Sequence, residues 1–322
     1  MQDKTTIYYV LINIFKKRSI LISYTLFISI SLFSQIDSAY IQAFDQELSI
    51  RPYVYKKFTT LSTETDYYPN TPVGIGFGAT YKKYSLSGGY AFGFMRDKNK
   101  GKTESIDFQY HYYGRNFIFD FFFQDYKGFY REDNKQNKVY HIYPDIKLVQ
   151  YGVFGQYVFN SKRFSYQAAF NQSEKQLRSA GSFQLGGGLY YNKVRSDSTI
   201  ALLNNKLINY QISISGGYAY TWVIKRNFFT SLSVSLGINL GAESISDFTK
   251  KIEVSPSIFP RFSMGYNSKD WSIGLSFVMN RIYVSHDDKT QKIALGTGHF
   301  QLSYIKRINI APKFLKQIKY IN

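Results

Sequence analysis

The chain has 322 residues, room for one large barrel or two modest soluble domains, and its lack of cysteine excludes disulfide scaffolds, thiolate metal sites and cysteine nucleophiles. Aromatic residues make up 19%, with 30 Tyr and 28 Phe, yet mean hydropathy is below zero. A membrane barrel escapes a search for apolar runs, because only every second residue meets lipid. The formal charge of +18 leaves a solvated surface, nucleic acid or anionic lipid to be weighed.

The N-terminal stretch reads as an export signal. Lys16, Lys17 and Arg18 precede an uncharged run, 19–33, rich in Ile, Leu and Phe. Ser34 then supplies a small residue at a cleavage point. An anchor helix is the alternative, but the run falls short of the ~20 residues a span needs. The expected layout is a signal peptide at 1–34, a periplasmic N-terminal segment at 35–47, a barrel at 48–306 and a basic periplasmic tail at 307–322.

From residue 48 the chain alternates with period two. Leu232, Val234, Leu236, Ile238 and Leu240 share one face of a segment whose other face carries Ser231, Ser233, Ser235, Gly237 and Asn239. The same division recurs at 73–81, 106–112, 208–224 and 271–280. A soluble sandwich also alternates, but its wet face usually carries long charged side chains. Here that face is small and sparsely charged, which suits the curved wall of a confined wet interior. The reading is all-β: a transmembrane antiparallel β-barrel in the outer membrane of a Gram-negative bacterium.

Strands are expected near 48–58, 71–82, 84–95, 104–113, 116–126, 146–160, 164–192, 208–224, 228–242, 252–266, 271–285 and 294–306. That makes twelve, an even count as single-chain bacterial barrels require, and it makes short and long links alternate. The seventh is awkward. Phe164, Tyr166, Ala168 and Phe170 put even positions on the lipid face, whereas Phe183, Leu185, Leu189 and Tyr191 put odd ones there. A strand cannot change parity without a bulge or bend, so 171–181 is expected to hold an irregularity. It is polar, and is expected either to bend into the lumen and narrow it, near Asp107 or Asp120, or to rise above the membrane. Pro256 and Pro260 call for a bulge or short unpaired stretch. A bend near the interface is the preferred reading and an open seam the alternative.

The early Tyr40-Ile41-Gln42-Ala43-Phe44-Asp45 stretch and the later Lys175-Gln176-Leu177-Arg178-Ser179-Ala180-Gly181-Ser182-Phe183 stretch resemble those of a family of bacterial envelope proteins catalogued as domain of unknown function 4421. The resemblance covers nearly all of the mature chain and implies an outer-membrane β-barrel, with no activity or catalytic residue attached to it. Phe300, Leu302 and Tyr304 form an alternating final strand, but a basic tail continues to Asn322, unlike barrels that end on an aromatic residue.

No residue set carries catalysis, a metal or a cofactor. The histidines His111, His141, His286 and His299 lack ligand spacing, and the Gly-rich stretches 74–78 and 186–188 lack the Lys and helix of a phosphate loop. Arg51, Asp107, His111, Asp120, Glu253 and Arg261 fall on the lumen face, and with Lys175 and Arg178 they are the candidate lumen constriction. A self-neutralising wall network is the plain alternative. Basic residues concentrate in short turns and the tail, which suits anionic headgroups; with the aromatics committed to lipid, nucleic acid is not expected. The expected partners are outer-membrane lipids and a small solute. The expected function is a passive or substrate-selective small-solute channel. The alternatives are an outer-membrane lipid-modifying hydrolase, for which Ser173, Ser179 and Ser182 are the serines to consider, or a structural or assembly component of the envelope.

Overall fold

Alternation of apolar and small polar side chains folds this chain into a single curled antiparallel wall. The structure is a computed structural model and describes residues 36–46, 48–81, 84–134, 139–196, 206–244, 247, 252–285 and 292–309. The expected signal peptide, His286 and most of the basic tail lie outside these residues. The strands are β1 (Ile41–Ala43), β2 (Leu48–Ser62), β3 (Asp66–Tyr67), β4 (Val73–Tyr81), β5 (Tyr84–Ala91), β6 (Glu104–Tyr113), β7 (Phe117–Asn134), β8 (Val139–Val158), β9 (Glu174–Gln176), β10 (Ala180–Arg195), β11 (Lys206–Ile224), β12 (Phe228–Ala242), β13 (Glu253–Asn267), β14 (Trp271–Ser285) and β15 (Lys292–Ile308). Twelve of them form the wall, in the order β5-β4-β2-β15-β14-β13-β12-β11-β10-β8-β7-β6.

The faces fall where alternation puts them. Ile212, Ile214, Leu236, Ile238, Phe183 and Leu185 point outward and are exposed, while Ser213, Ser215, Ser233, Ser235, Asn239 and Gln184 are buried inside. An outer surface this apolar, sheathing a polar interior, is the arrangement lipid demands. Near the short-turn end the outer aromatics run from Tyr218 through Tyr220 to Trp222, and from Phe228 through Tyr266 and Trp271 to Tyr304. Such amphipathic rings favour a membrane–water interface.

Three segments depart from the sequence reading. Phe164, Tyr166 and Ala168 are not on a lipid face; each is at most 2% exposed, inside the wall. After Asn160 the chain leaves the wall, makes a π-helical turn at Gln167–Asn171, and pairs β9 with β1 before re-entering as β10. The parity change marks this excursion. The link expected at 127–145 is mostly strand: β7 and β8 run on as a long hairpin, with a bulge at Gly128. Its φ of 86° suits glycine, and the bulge turns Phe129 inward to 1% exposure. Third, Phe259 and Pro260 drop out of the β13–β14 ladder although both pair with β12. The prolines thus make a short unpaired stretch, not the open seam.

The opening lies elsewhere. Among the described residues no ladder joins β5 to β6. Above the β4–β5 hairpin the ring is completed differently: β3 pairs with β2, and Tyr68 makes both backbone bonds with Tyr130 of β7. The gap between β5 and β6 therefore sits below a strap made by 66–68.

Candidate functional site

The interior is filled in layers. At the long-loop end Leu61, Phe129, Ile146, Leu148, Val194, Leu207, Val284, Ile293 and Leu295 form a buried apolar layer. Below it Phe154 of β8 stacks on Phe259 of β13 at 4.4 Å between ring centroids, and Tyr190 and Phe122 extend the stack. Alternation along β13 turns Phe259 inward between the buried Ser257 and Arg261. The expectation of a purely small polar lumen is thus corrected: inward apolar and aromatic side chains occupy the axis.

The charged residues bridge the wall at the next level. Asp120 on β7 pairs with Arg261 on β13, five strands away along the sheet, and both are 2% exposed. Asp120 also holds His111 Nδ1 at 2.6 Å, and Arg261 donates to the Tyr113 hydroxyl at 3.2 Å. His299 lies against His111, ring to ring at 5.6 Å. Buried charges so placed are satisfied by each other, and breaking one partner away would strand the other. Asp107 forms a separate group: it accepts from Lys57 at 2.8 Å, Gln109 at 3.0 Å and the Tyr126 hydroxyl. Gln124 links Asp107 to Thr297 of β15. Neighbouring strands carry Asp107 and Asp120, yet their partners differ.

The short-turn end is stoppered by the excursion at 160–179. Phe164, Tyr166 and Tyr113 pack together there with Phe170. The Tyr166 hydroxyl bonds Ser233 at 2.7 Å, and Ser263 donates to the Ala169 carbonyl at 2.6 Å. Arg51 donates to the Asn171 carbonyl, Arg307 to the Gln172 carbonyl at 2.8 Å, and Arg115 pairs with Glu174. The N-terminal segment clamps the plug through the β1–β9 ladder, with Arg163 on Asp37 at 3.3 Å.

Of the expected constriction, Asp120, Arg261 and His111 come together in one buried group. Asp107 sits in a second, and Arg51 holds the plug. Lys175 and Arg178 do not approach Asp107 or Asp120. Lys175 donates to Asn227 at 2.7 Å, and Arg178 is exposed, its guanidinium 5.8 Å from the Tyr40 ring. Glu253 stands at the start of β13, and Arg261 pairs with Asp120 instead of with it. Parity alone would have added Lys57, one residue inside the end of an expected strand. Nothing local announces Glu174, Arg115 and Arg307 as plug fasteners. Several basic residues expected to meet headgroups at the rim thus hold the plug and N-terminal segment.

Among the described residues the hydrolase alternative gains no triad. His111 spends Nδ1 on Asp120, Ser182 Oγ accepts from the Asn160 backbone N–H, and Ser179 Oγ from that of Val223. No group of acidic residues and histidines able to hold a metal exists among the described residues.

A family model described as Domain of unknown function (DUF4421) matches residues 35–307. Comparison with curated proteins gives no significant sequence match. Among solved structures, the outer membrane protease OmpT of Escherichia coli is similar at a TM-score of 0.33 and 7% identity, over 83% of this chain and 98% of that one. The translocator domain of the autotransporter NalP of Neisseria meningitidis follows at 0.35 and 12%, over 81% and 88%. The outer membrane protein OprG of Pseudomonas aeruginosa gives 0.24 and 9%, over 85% and 100%.

Proposed function

We propose that this chain, which belongs to the family described as Domain of unknown function (DUF4421), works in the outer membrane as a barrel with a sealed axis and a working opening in its wall. A membrane-borne apolar or amphipathic molecule meets the protein at the β5–β6 gap, instead of a solute crossing along the axis. One observation carries this reading. Buried side chains cross the axis at the apolar layer and at the plug, whereas among the described residues β5 and β6 each leave one edge unpaired. Unpaired backbone groups are not tolerated against acyl chains, only against protein, water or a polar partner. The gap must therefore zip closed at times or receive something with polar groups. Behind it, Tyr55 lies over Gly74 and Gly89, and Tyr53 over Gly76; a Cβ at any of the three glycines would fall within 2.6 Å of a ring atom. The β4–β5 hairpin is glycine-rich because its inner face is covered by those two rings.

Opening the wall exposes Tyr55 to the bilayer, so a membrane-dissolved photoreactive diazirine is expected to label it. Gly88, opposite the exposed Phe77, and the exposed Phe108 lie on the outer face of the two facing edges, so they suit a cross-link between β5 and β6. A Gly88→Cys/Phe108→Cys disulfide is expected to suppress that labelling, with recovery on reduction. Equal labelling in the locked and reduced states would sink the lateral reading.

A further inference from the structure

A cavity of about 200 Å³ opens at the long-loop end of the gap, where the wall changes partner. β2 pairs with β4 only as far as Lys56, opposite Val73; beyond that level the link at 66–71 takes over. Lys56, Tyr68, Asn70, Met95, Lys100 and Tyr130 contribute to the cavity wall. Asn70 fixes the floor, donating to the carbonyls of Asp97 and Gly101 at 2.8 and 2.7 Å.

The charges there do not balance. Lys57 faces inward and is taken by Asp107 at 2.8 Å. Lys56, the next residue along, faces outward on the side of the exposed Val54. It donates to the Thr71 carbonyl, and no carboxylate among the described residues pairs with it. Lys100 lies 5.0 and 4.9 Å from the ring centroids of Tyr130 and Tyr140, with Asp97 at 3.9 Å as a loose partner. Of these two ammonium groups only that of Lys100 has a carboxylate near it among the described residues.

The surroundings are those of a membrane surface. Phe94 is 80% exposed and Met95 54%, and Phe94 continues a ring series through Phe92 to Tyr90. An outward lysine without a counter-charge, beside exposed apolar side chains, calls for an anion that itself resides in lipid. The volume is below the ~300–1,000 Å³ of a pocket that encloses a whole drug-sized ligand, so it suits a headgroup with its tail left outside.

We propose that the Lys56–Lys100 cavity binds the phosphate-bearing headgroup of an anionic lipid and lays its acyl chain across the mouth of the β5–β6 gap. Only the placement of the chain rests on the lateral reading above. The headgroup stands on the cavity and its charge. Purified protein in phosphatidylcholine nanodiscs, titrated with pyrene-labelled phosphatidylglycerol or phosphatidylcholine, tests it.

The expected result is about a tenfold preference for the anionic lipid, lost in Lys56→Gln/Lys100→Gln. Heat-modifiable gel mobility confirms that the variant is folded, and Lys56→Arg/Lys100→Arg is expected to restore the preference. Millimolar inorganic phosphate is expected not to displace the lipid; full displacement would show a free-phosphate site and overturn the proposal, as would an undiminished preference in the Gln variant. The Gly88→Cys/Phe108→Cys lock separates the two readings. Headgroup preference surviving in the locked protein supports this site even if labelling of Tyr55 has ruled out the lateral opening. A preference that depends on the open gap alone, and not on the lysines, refutes the site and leaves the gap standing.

Discussion

The arc from β10 to β14 and the gap between β5 and β6 are made from the same alternating pattern and end in opposite states. In the arc, β11 and β12 pair over every residue from Tyr210–Ala242 to Ile224–Phe228, the β10–β11 and β12–β13 ladders are equally unbroken, and β13–β14 is interrupted only at Phe259 and Pro260. At the gap the strands are short: nine residues in β4, eight in β5 and ten in β6. β2 and β7 on either side are fifteen and eighteen long, so the hairpin cannot close the wall over their full height. Alternation decides which face a residue takes, whereas closure depends on strand length and on what the links cover. The strap at 66–68 closes only the end of the wall nearest the long loops.

The largest expected effect comes from charges that brace the arc across the interior. Arg261→Ala strands Asp120 beside a half-satisfied His111 and is expected to cost about 3–5 kcal/mol, read as a lower urea midpoint for unfolding in detergent. Arg261→Met with Asp120→Leu is expected to recover most of that loss, since the penalty belongs to the uncompensated charge. A single variant as stable as wild type would show that the ion pair does not brace the arc.

Two single glycines, one covered by a ring and one open, give a smaller local test. A Cβ at Gly76 would lie 2.1 Å from the Tyr53 ring, whereas one at Gly216 in the arc meets nothing nearer than 3.9 Å. Gly76→Ala is expected to lose about 1–3 kcal/mol by overpacking, and Gly216→Ala to stay within about 0.5 kcal/mol. Equal effects in the same unfolding experiment would erase the distinction. Lys57→Ala, beside the gap, is expected to cost only about 1 kcal/mol, because that lysine is a quarter exposed and its pair with Asp107 is partly screened. At the hairpin tip, Arg131→Gln and Asp133→Asn remove an exposed pair at 2.5 Å. They are expected to leave the melting temperature unchanged, and a measurable drop would mean the tip is held by more than solvated charge.

The wall was legible from period-two alternation because lipid enforces it: twelve strands, their faces and the lumenal positions of Asp120 and Arg261 all follow. Their pairing was not, since it depends on a register carried across five strands, which no local pattern contains. Phe164, Tyr166, Ala168 and Phe170 misled because aromatics packed inside a plug leave the same spacing as aromatics facing lipid. The hairpin at 127–145 was hidden by Lys127, Arg131, Glu132 and Asp133, polar because strands that rise beyond the apolar belt need not alternate. Apolar filling had a local sign in Ile282 and Val284, which face inward on either side of Tyr283 and so load both faces of β14. The short β4–β5 hairpin was visible in length, but not its failure to meet β6.

The central claim is a sealed axis, and planar-bilayer recording of the folded wild-type protein tests it most directly. Filled layers joined by Asp120–Arg261 and closed by the 160–179 plug predict no steady conductance across voltage. Removing 164–177 and joining the ends with a short Gly-Ser link is expected to take away the stopper at one end while the apolar layer at the other still blocks current. A stable ohmic conductance from the wild-type barrel would contradict the account.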